Sequence, residues 1–398
     1  MKKLLTLAIV SSSLLLTACD DEDKVDTAGN PTTPPVSEKV FAVIQQAIYG
    51  TGSNVIVADA NNLSDATEGL YADTRTDFFL TSYKDHFFYV GKDGINSINK
   101  YDPDNPNAGF YGTDGYSLNT NDGVASSNVH DIGFISDTKS YLTRYAAKTA
   151  WIVNPAATLA NNFKTGEIDL SAYVATNDKA SPAPEMDDIH IYNDKAFIVM
   201  QRLGNDTNGY AAVRSGYVAV IDTSTNQEID TLKGQSGLKG IELQIKNPQN
   251  TAVSGKYLYV QGLVYSGNTQ FDGGLVRIDM ETYEQEIIYD ATAETGKIFT
   301  ATIINDNEVY VSIYHGWKNN SLAKVEADGS LTPVDGYKNI NITLLSSGPE
   351  GNLWLGIGGG DNKDAVLYKL SKTDMSVLDS RTLTLDAEDI TFVSIATN

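Results

Sequence analysis

Short runs rich in Val, Ile, Tyr and Phe recur along the whole chain, broken by Gly, Asn and Asp, and no long segment carries the helical period. Aligning the runs gives a repeat of about 40 to 50 residues, with four strands in each unit. The third strand is the clearest. It reads Tyr-Val-Ala-Val-Ile-Asp at 217–222, and the same slot falls at 54–59, 98–102, 150–154, 275–279, 322–326 and 366–370. Second strands fall at 87–90, 139–142, 196–199, 257–260, 308–311 and 352–355, usually just after Asn, Asp or Gly. Such residues suit a tight hairpin from a first strand. A fourth strand closes the unit, as at 228–232.

The first unit is one strand short. It has runs at 40–44, 54–59 and 69–72 but nothing before them to serve as an innermost strand. The tail supplies one, because 390–395 follows a complete seventh unit. The pattern therefore predicts an all-β chain folded as a seven-bladed β-propeller, its first blade completed by the C-terminal strand. Closure of that kind removes two exposed edges. A β-sandwich or a β-solenoid is the rival architecture.

The N-terminus changes the picture. Met1 is followed by Lys2 and Lys3, an apolar run at 4–10 and three leucines at 14–16. That is the layout of a secretory signal, expected over 1–18, and the apolar part is shorter than the roughly 20 residues a bilayer needs. Leu16-Thr17-Ala18-Cys19 resembles the lipobox of bacterial lipoproteins. The resemblance implies that Cys19 is lipidated and becomes the first residue of the mature protein, a lipid anchor in the membrane. Cys19 is the only cysteine, so no internal disulfide can form. Two acyl chains hold a protein stably where one holds it only marginally. Asp20 and Asp21 are similar to an inner-membrane retention pair, but that rule varies between lineages and either membrane of the envelope stays open. Residues 19–39 read as the lipidated cysteine and a tether, with an acidic run at 20–23 and Pro31, Pro34 and Pro35 among small polar residues. The propeller is expected over 40–398.

The stretch 219–232, Ala-Val-Ile-Asp-Thr-Ser-Thr-Asn-Gln-Glu-Ile-Asp-Thr-Leu, resembles the YVTN-type propeller repeats of exported bacterial proteins. As a pattern the resemblance covers most of the mature chain; it is sharp in one or two repeats. It implies a fold, and fold does not imply function.

Composition excludes some functions. A net charge of −22 argues against nucleic acid and against docking of the body on anionic lipid. There is no Gly-x-Ser-x-Gly elbow, P-loop or dinucleotide fingerprint, and no cofactor is implied. The four histidines lie in different units without close paired spacing, so no metal site is expected.

Candidate chemistry collects on one face. First strands line the channel of a propeller. The loops that leave second strands and those that enter first strands share one side, here called the upper face. Arg144, Arg202 and Gln261 end second strands there, as do Tyr314, His315 and Trp317; Arg75, His130, Asp131, Asp187 and Asp188 enter first strands, with His190 just inside. Three of the six arginines, Arg75, Arg144 and Arg202, fall on this face. Arginine's planar fork suits carboxylate or catecholate oxygens. With His315 and Trp317 the rim would hold an anionic, partly aromatic ligand. Alternatively, each arginine pairs with an Asp and pins a loop. Three functions stay open. A binding module is the first. Its architecture looks like that of propeller lipoproteins that capture ferric siderophores for a TonB-dependent outer-membrane transporter. A lactonase-type hydrolase using Asp187, Asp188, His130 or His190 is the second, and a structural scaffold the third.

Overall fold

The computed structural model describes residues 37–119, 124–174, 182–206, 209–211, 214–262, 273–291, 298–305, 308–360 and 363–397. Cys19, the signal segment and nearly all of the tether lie outside these residues.

Seven antiparallel sheets form the ring. Blade 1 holds Ser37–Ile48, Gly52–Asp59 and Asn62–Asp73, with Asp386–Thr397 innermost. Blade 2 runs outward through Phe78–Tyr83, His86–Gly91, Ser97–Tyr101 and Tyr116–Ser117, and blade 3 through Val129–Ser136, Lys139–Arg144, Thr149–Val153 and Lys164–Asp169. Blade 4 comprises Met186–Tyr192, Lys195–Met200, Ser215–Asp222 and Gln227–Glu228, joined by Ile241–Lys246. Blade 5 comprises Pro248–Ser254, Tyr257–Gly262, Gly273–Asp279 and Gln285–Ala291; blade 6 Ile298–Asn305, Glu308–Gly316, Asn319–Val325 and Leu331–Pro333. Blade 7 comprises Ile342–Ser347, Leu353–Ile357, Ala365–Leu370 and Val377–Leu383. Each inner strand packs against the inner strands of the blades on either side.

The C-terminal strand closes the ring. It pairs with Ser37–Ile48 from Ser37 opposite Thr397 to Ala47 opposite Asp386. Alternate residues of the N-terminal strand then reach opposite neighbours. Phe41 and Val43 pack with Phe78, Leu80 and Phe87 of blade 2, whereas Ala42 and Ile44 pack with Leu344, Trp354 and Leu367 of blade 7. This stacking explains why the middle strands read as unbroken apolar runs: they are covered on both faces. In blade 4, every residue from Ala196 to Met200 is fully buried.

The turn after the third strand follows from its closing Asp. Asp222 Oδ1 accepts the N–H groups of Ser224 and Thr225 at 2.9 and 2.8 Å as well as both hydroxyls. These bonds, the Ser224 hydroxyl foremost, push its carboxyl down to about 2. Asp279 accepts the N–H groups of Glu281 and Thr282 in the same way.

Two boundaries differ from expectation. The first strand begins at Ser37, within the last residues assigned to the tether. In blade 4 only Gln227–Glu228 pairs where 228–232 was expected. The chain turns off at Leu232, which has a left-handed φ of 60°, and Ile241–Lys246 takes over the outer edge opposite Ser215–Val218.

Candidate functional site

The inner strands of blades 1, 3, 4, 5, 6 and 7 each carry a bulge at the same place. The extra residues are Glu388, His130, Asp187, Asn250, Thr300 and Thr343. A bulge bends the strand and re-aims a side chain. In three blades the next residue is Asp followed by Ile: Asp389, Asp131 and Asp188. Each binds its own following N–H, Ile390 at 2.8 Å, Ile132 at 2.7 Å and Ile189 at 2.9 Å. The second carboxylate oxygen reaches the next blade. Asp389 Oδ2 accepts the N–H of Leu80 at 2.6 Å, Asp131 Oδ2 accepts that of Ile189 at 3.0 Å, and Asp188 Oδ2 accepts the Thr251 hydroxyl.

Asp188 thus joins blade 4 to blade 5, and its neighbours form a belt. His130 Nδ1 lies 2.8 Å from Asp187 Oδ1, and its ring stacks on Tyr145 with centroids 4.4 Å apart. The Tyr145 hydroxyl donates to Gln201 at 2.8 Å. His190 meets the Thr251 hydroxyl and lies 3.8 Å from Asp188. Burial and the adjacent Asp188 charge drive the Asp131 carboxyl well above the carboxylate range. Burial opposes the charge on Asp188, but His190, Asp131 and Thr251 hold that carboxyl below its usual value.

The arginines are engaged one by one. Arg75 is exposed and forms a bidentate pair with Asp73, Nε to Oδ1 at 3.0 Å and Nη2 to Oδ2 at 2.6 Å. Arg144 is 0% exposed; its Nε donates to Ser127 Oγ at 3.2 Å, its Nη1 to Thr149 Oγ1 at 3.1 Å, and Cζ sits 4.7 Å from the Trp151 ring centroid. Arg202 donates from Nε to the Tyr173 carbonyl at 2.9 Å and lies over Tyr217 at 4.6 Å, and burial lowers its pKa. Gln261 is buried within its strand, opposite Gln249 of the inner strand. His315 is exposed, with Nε2 2.9 Å from Ser321 Oγ, and Trp317 projects from the blade 6 hairpin with 85% of its surface free. A pocket of about 650 Å³ opens on the upper face around blades 2 and 3; Arg144 and Thr149 form part of its wall, with Asp93, Ser126, Lys148 and Glu167.

Several residues were not legible in advance. Asp389 repeats the work of Asp131, and the signal was present: His130-Asp131-Ile132, Asp187-Asp188-Ile189 and Glu388-Asp389-Ile390 share an ionisable residue, Asp and Ile. Lys148 and the seam residues Gln45 and Lys92 carried no such mark.

Neither a known family nor a curated protein sequence matches the chain. Solved structures do. A protein from Lactobacillus plantarum is 16% identical, with a TM-score of 0.55 over 89% of this chain and 99% of that one. A streptogramin B lyase is 13% identical, with a TM-score of 0.50 over 80% of this chain and 94% of its own. AztD from Citrobacter koseri is 10% identical, with a TM-score of 0.48 over 91% and 99%. At such identities the likeness is one of fold: the chain is a seven-bladed β-propeller.

Proposed function

We propose that the protein is an envelope-tethered binding module. Cys19 carries the lipid, the tether holds the propeller off the membrane, and the upper-face pocket beside Arg144 takes an anionic, partly aromatic small molecule. The observation that carries this reading is a pocket of ligand size with a cationic wall, in which the buried Arg144 is fixed on Trp151 and two hydroxyls behind the surface. Lys148 adds an exposed second charge at the same pocket. The inner strands suit an anion less well, because they carry Asp187, Asp188 and Glu388. The ligand therefore sits off axis, over blades 2 and 3.

A ferric siderophore passed to a TonB-dependent receptor is the specific form of this proposal. Exposed Trp317 and Tyr49, both on hairpins of the upper face, suit a partner-docking surface, since interfaces favour such residues. The hydrolase reading draws on the Asp131–Asp188 pair. Asp389 makes the same bonds as Asp131 without a second Asp beside it, which favours an architectural role for all three.

Native mass spectrometry of the protein released from its own membrane tests the proposal. A retained anionic small molecule, lost in Lys148→Glu, is expected. Protein carrying nothing but its acyl chains would contradict it.

A further inference from the structure

His130 takes no part in the tie that its strand makes. Asp131, the next residue, links blade 3 to blade 4 through the Ile189 N–H. The imidazole is turned instead onto the hairpin that follows the second strand of blade 3. Its ring lies flat on Tyr145, with centroids 4.4 Å apart and planes 13° from parallel. Tyr145 stands in the middle of that hairpin. Arg144, Ala146, Ala147 and Lys148 beside it line the upper-face pocket of about 650 Å³. One side of the hairpin therefore walls the pocket while the other rests on a histidine.

The same tyrosine and histidine reach across to blade 4. The Tyr145 hydroxyl donates to Gln201 Oε1 at 2.8 Å, and His130 Nδ1 lies 2.8 Å from Asp187 Oδ1. The His130 side chain keeps 22% of its surface, so water and protons reach it. Carboxyl groups from two blades surround it: Asp131 on its own strand, and Asp187 and Asp188 on the inner strand of blade 4. Glu185 accepts the Leu203 N–H, and His190 meets Thr251 in blade 5. Arg144 is directed onto Trp151, and the inner strand of blade 2, on the other side, carries no acidic or basic side chain.

We infer that His130 is a proton-operated latch on the pocket wall. The inference deepens the reading of that pocket as a ligand site and rests on it. Imidazole is the side chain that changes charge between about pH 5 and pH 8. As an imidazolium, His130 donates to the Asp187 carboxylate with charge assistance and lies as a cation on the face of the Tyr145 ring. Both attractions exceed those of the neutral ring. Protonation therefore steadies the hairpin. Proton loss slackens it and lets the wall move, which favours release of a bound ligand. The sign is definite: the wall is tighter at lower pH.

Hydrogen exchange of the full-length mature protein, with no ligand added, tests the latch. The readout is protection of peptides covering 144–149, corrected for the intrinsic effect of pH. In that hairpin the Tyr145 and Ala147 N–H groups donate to the Asn128 and Arg144 carbonyls at 2.9 and 3.0 Å. Protection in the parent should fall about threefold or more between about pH 5.5 and pH 8. It should not change with pH in His130→Phe, which keeps a flat ring on Tyr145, or in His130→Asn, which keeps a donor for Asp187. Because no ligand is present, a pocket that binds nothing leaves this result standing, and a failed latch leaves the pocket standing. The inference is overturned if protection in the parent does not respond to pH, or if either variant that folds keeps the parent's response.

Discussion

Asp131 and Asp389 occupy the same register in blades 3 and 1 and make the same two bonds. Each accepts the N–H of its own next residue and the N–H of the inner strand one blade further on, Ile189 at 3.0 Å and Leu80 at 2.6 Å. Asp188 repeats the arrangement through Thr251. In a closed ring the inner strands of neighbouring blades share no sheet ladder. A carboxyl that caps a bulge in one blade and an amide in the next ties them together at the channel. Burial raises the Asp389 carboxyl, which marks how enclosed the position is.

Removing that tie should loosen the seam. Asp389→Ala leaves the Leu80 and Ile390 amides without their acceptor and should cost about 2–3 kcal/mol in urea unfolding. Asp389→Asn keeps one acceptor oxygen and should cost less. Equal losses for the two variants would show that charge or packing, rather than the two amide bonds, governs the site.

Glu388 gives stability a pH dependence with a definite sign. Its folded-state pKa, about 7, lies above the ordinary glutamate value of 4.5. Between those values the folded state binds more protons than the unfolded state, so this group's contribution to stability falls as pH rises. Glu388→Gln should raise the melting temperature at pH 8 and change it little at pH 4. A gain that is the same at both pH values would remove Glu388 as the cause.

Ring closure depends on the C-terminal strand. Deleting 386–398 uncovers the Ser37–Ile48 edge and removes Ile390 and Val393 from the core on both sides of blade 1. Aggregation or loss of cooperative melting is expected, whereas deleting 20–36 should leave the melt unchanged. An unaltered melt after the C-terminal truncation would be incompatible with this closure.

The anchor is tested by Cys19→Ser. The variant should lose its acyl mass and leave the membrane fraction, while a variant that still fractionates with membrane would remove the lipid from the account.

The fold was legible because blades repeat. Middle strands buried on both faces, such as 196–200, produce apolar runs that no helix of this length imitates, and Asp222 and Asp279 mark the turns that follow. Blade 4 broke the pattern because Leu232 turns the chain away, a backbone event that composition does not encode. The site was less legible. Arg75, Arg144 and Arg202 stand at the expected strand ends, but only the structure distinguishes an arginine paired with Asp73 from one seated on Trp151. Gln45 and Gln46 are identical in sequence terms; their opposite directions in the strand give Gln46 its bonds to Asn54 and Leu385 and leave the Gln45 carboxamide buried between blades 1 and 2.

The Arg144 pocket is tested most directly by tryptophan emission during titration with an anionic ferric catecholate complex. Trp151 lies beneath Arg144, Trp317 projects from blade 6, and Trp354 is buried between blades 7 and 1. The account predicts saturable quenching that survives Trp317→Phe and is lost in Trp151→Phe. One charge-assisted contact is worth about 1.5–3 kcal/mol, so Lys148→Glu should weaken binding roughly ten- to a hundredfold. Quenching that does not saturate, or that persists undiminished in both Trp151→Phe and Lys148→Glu, would contradict it.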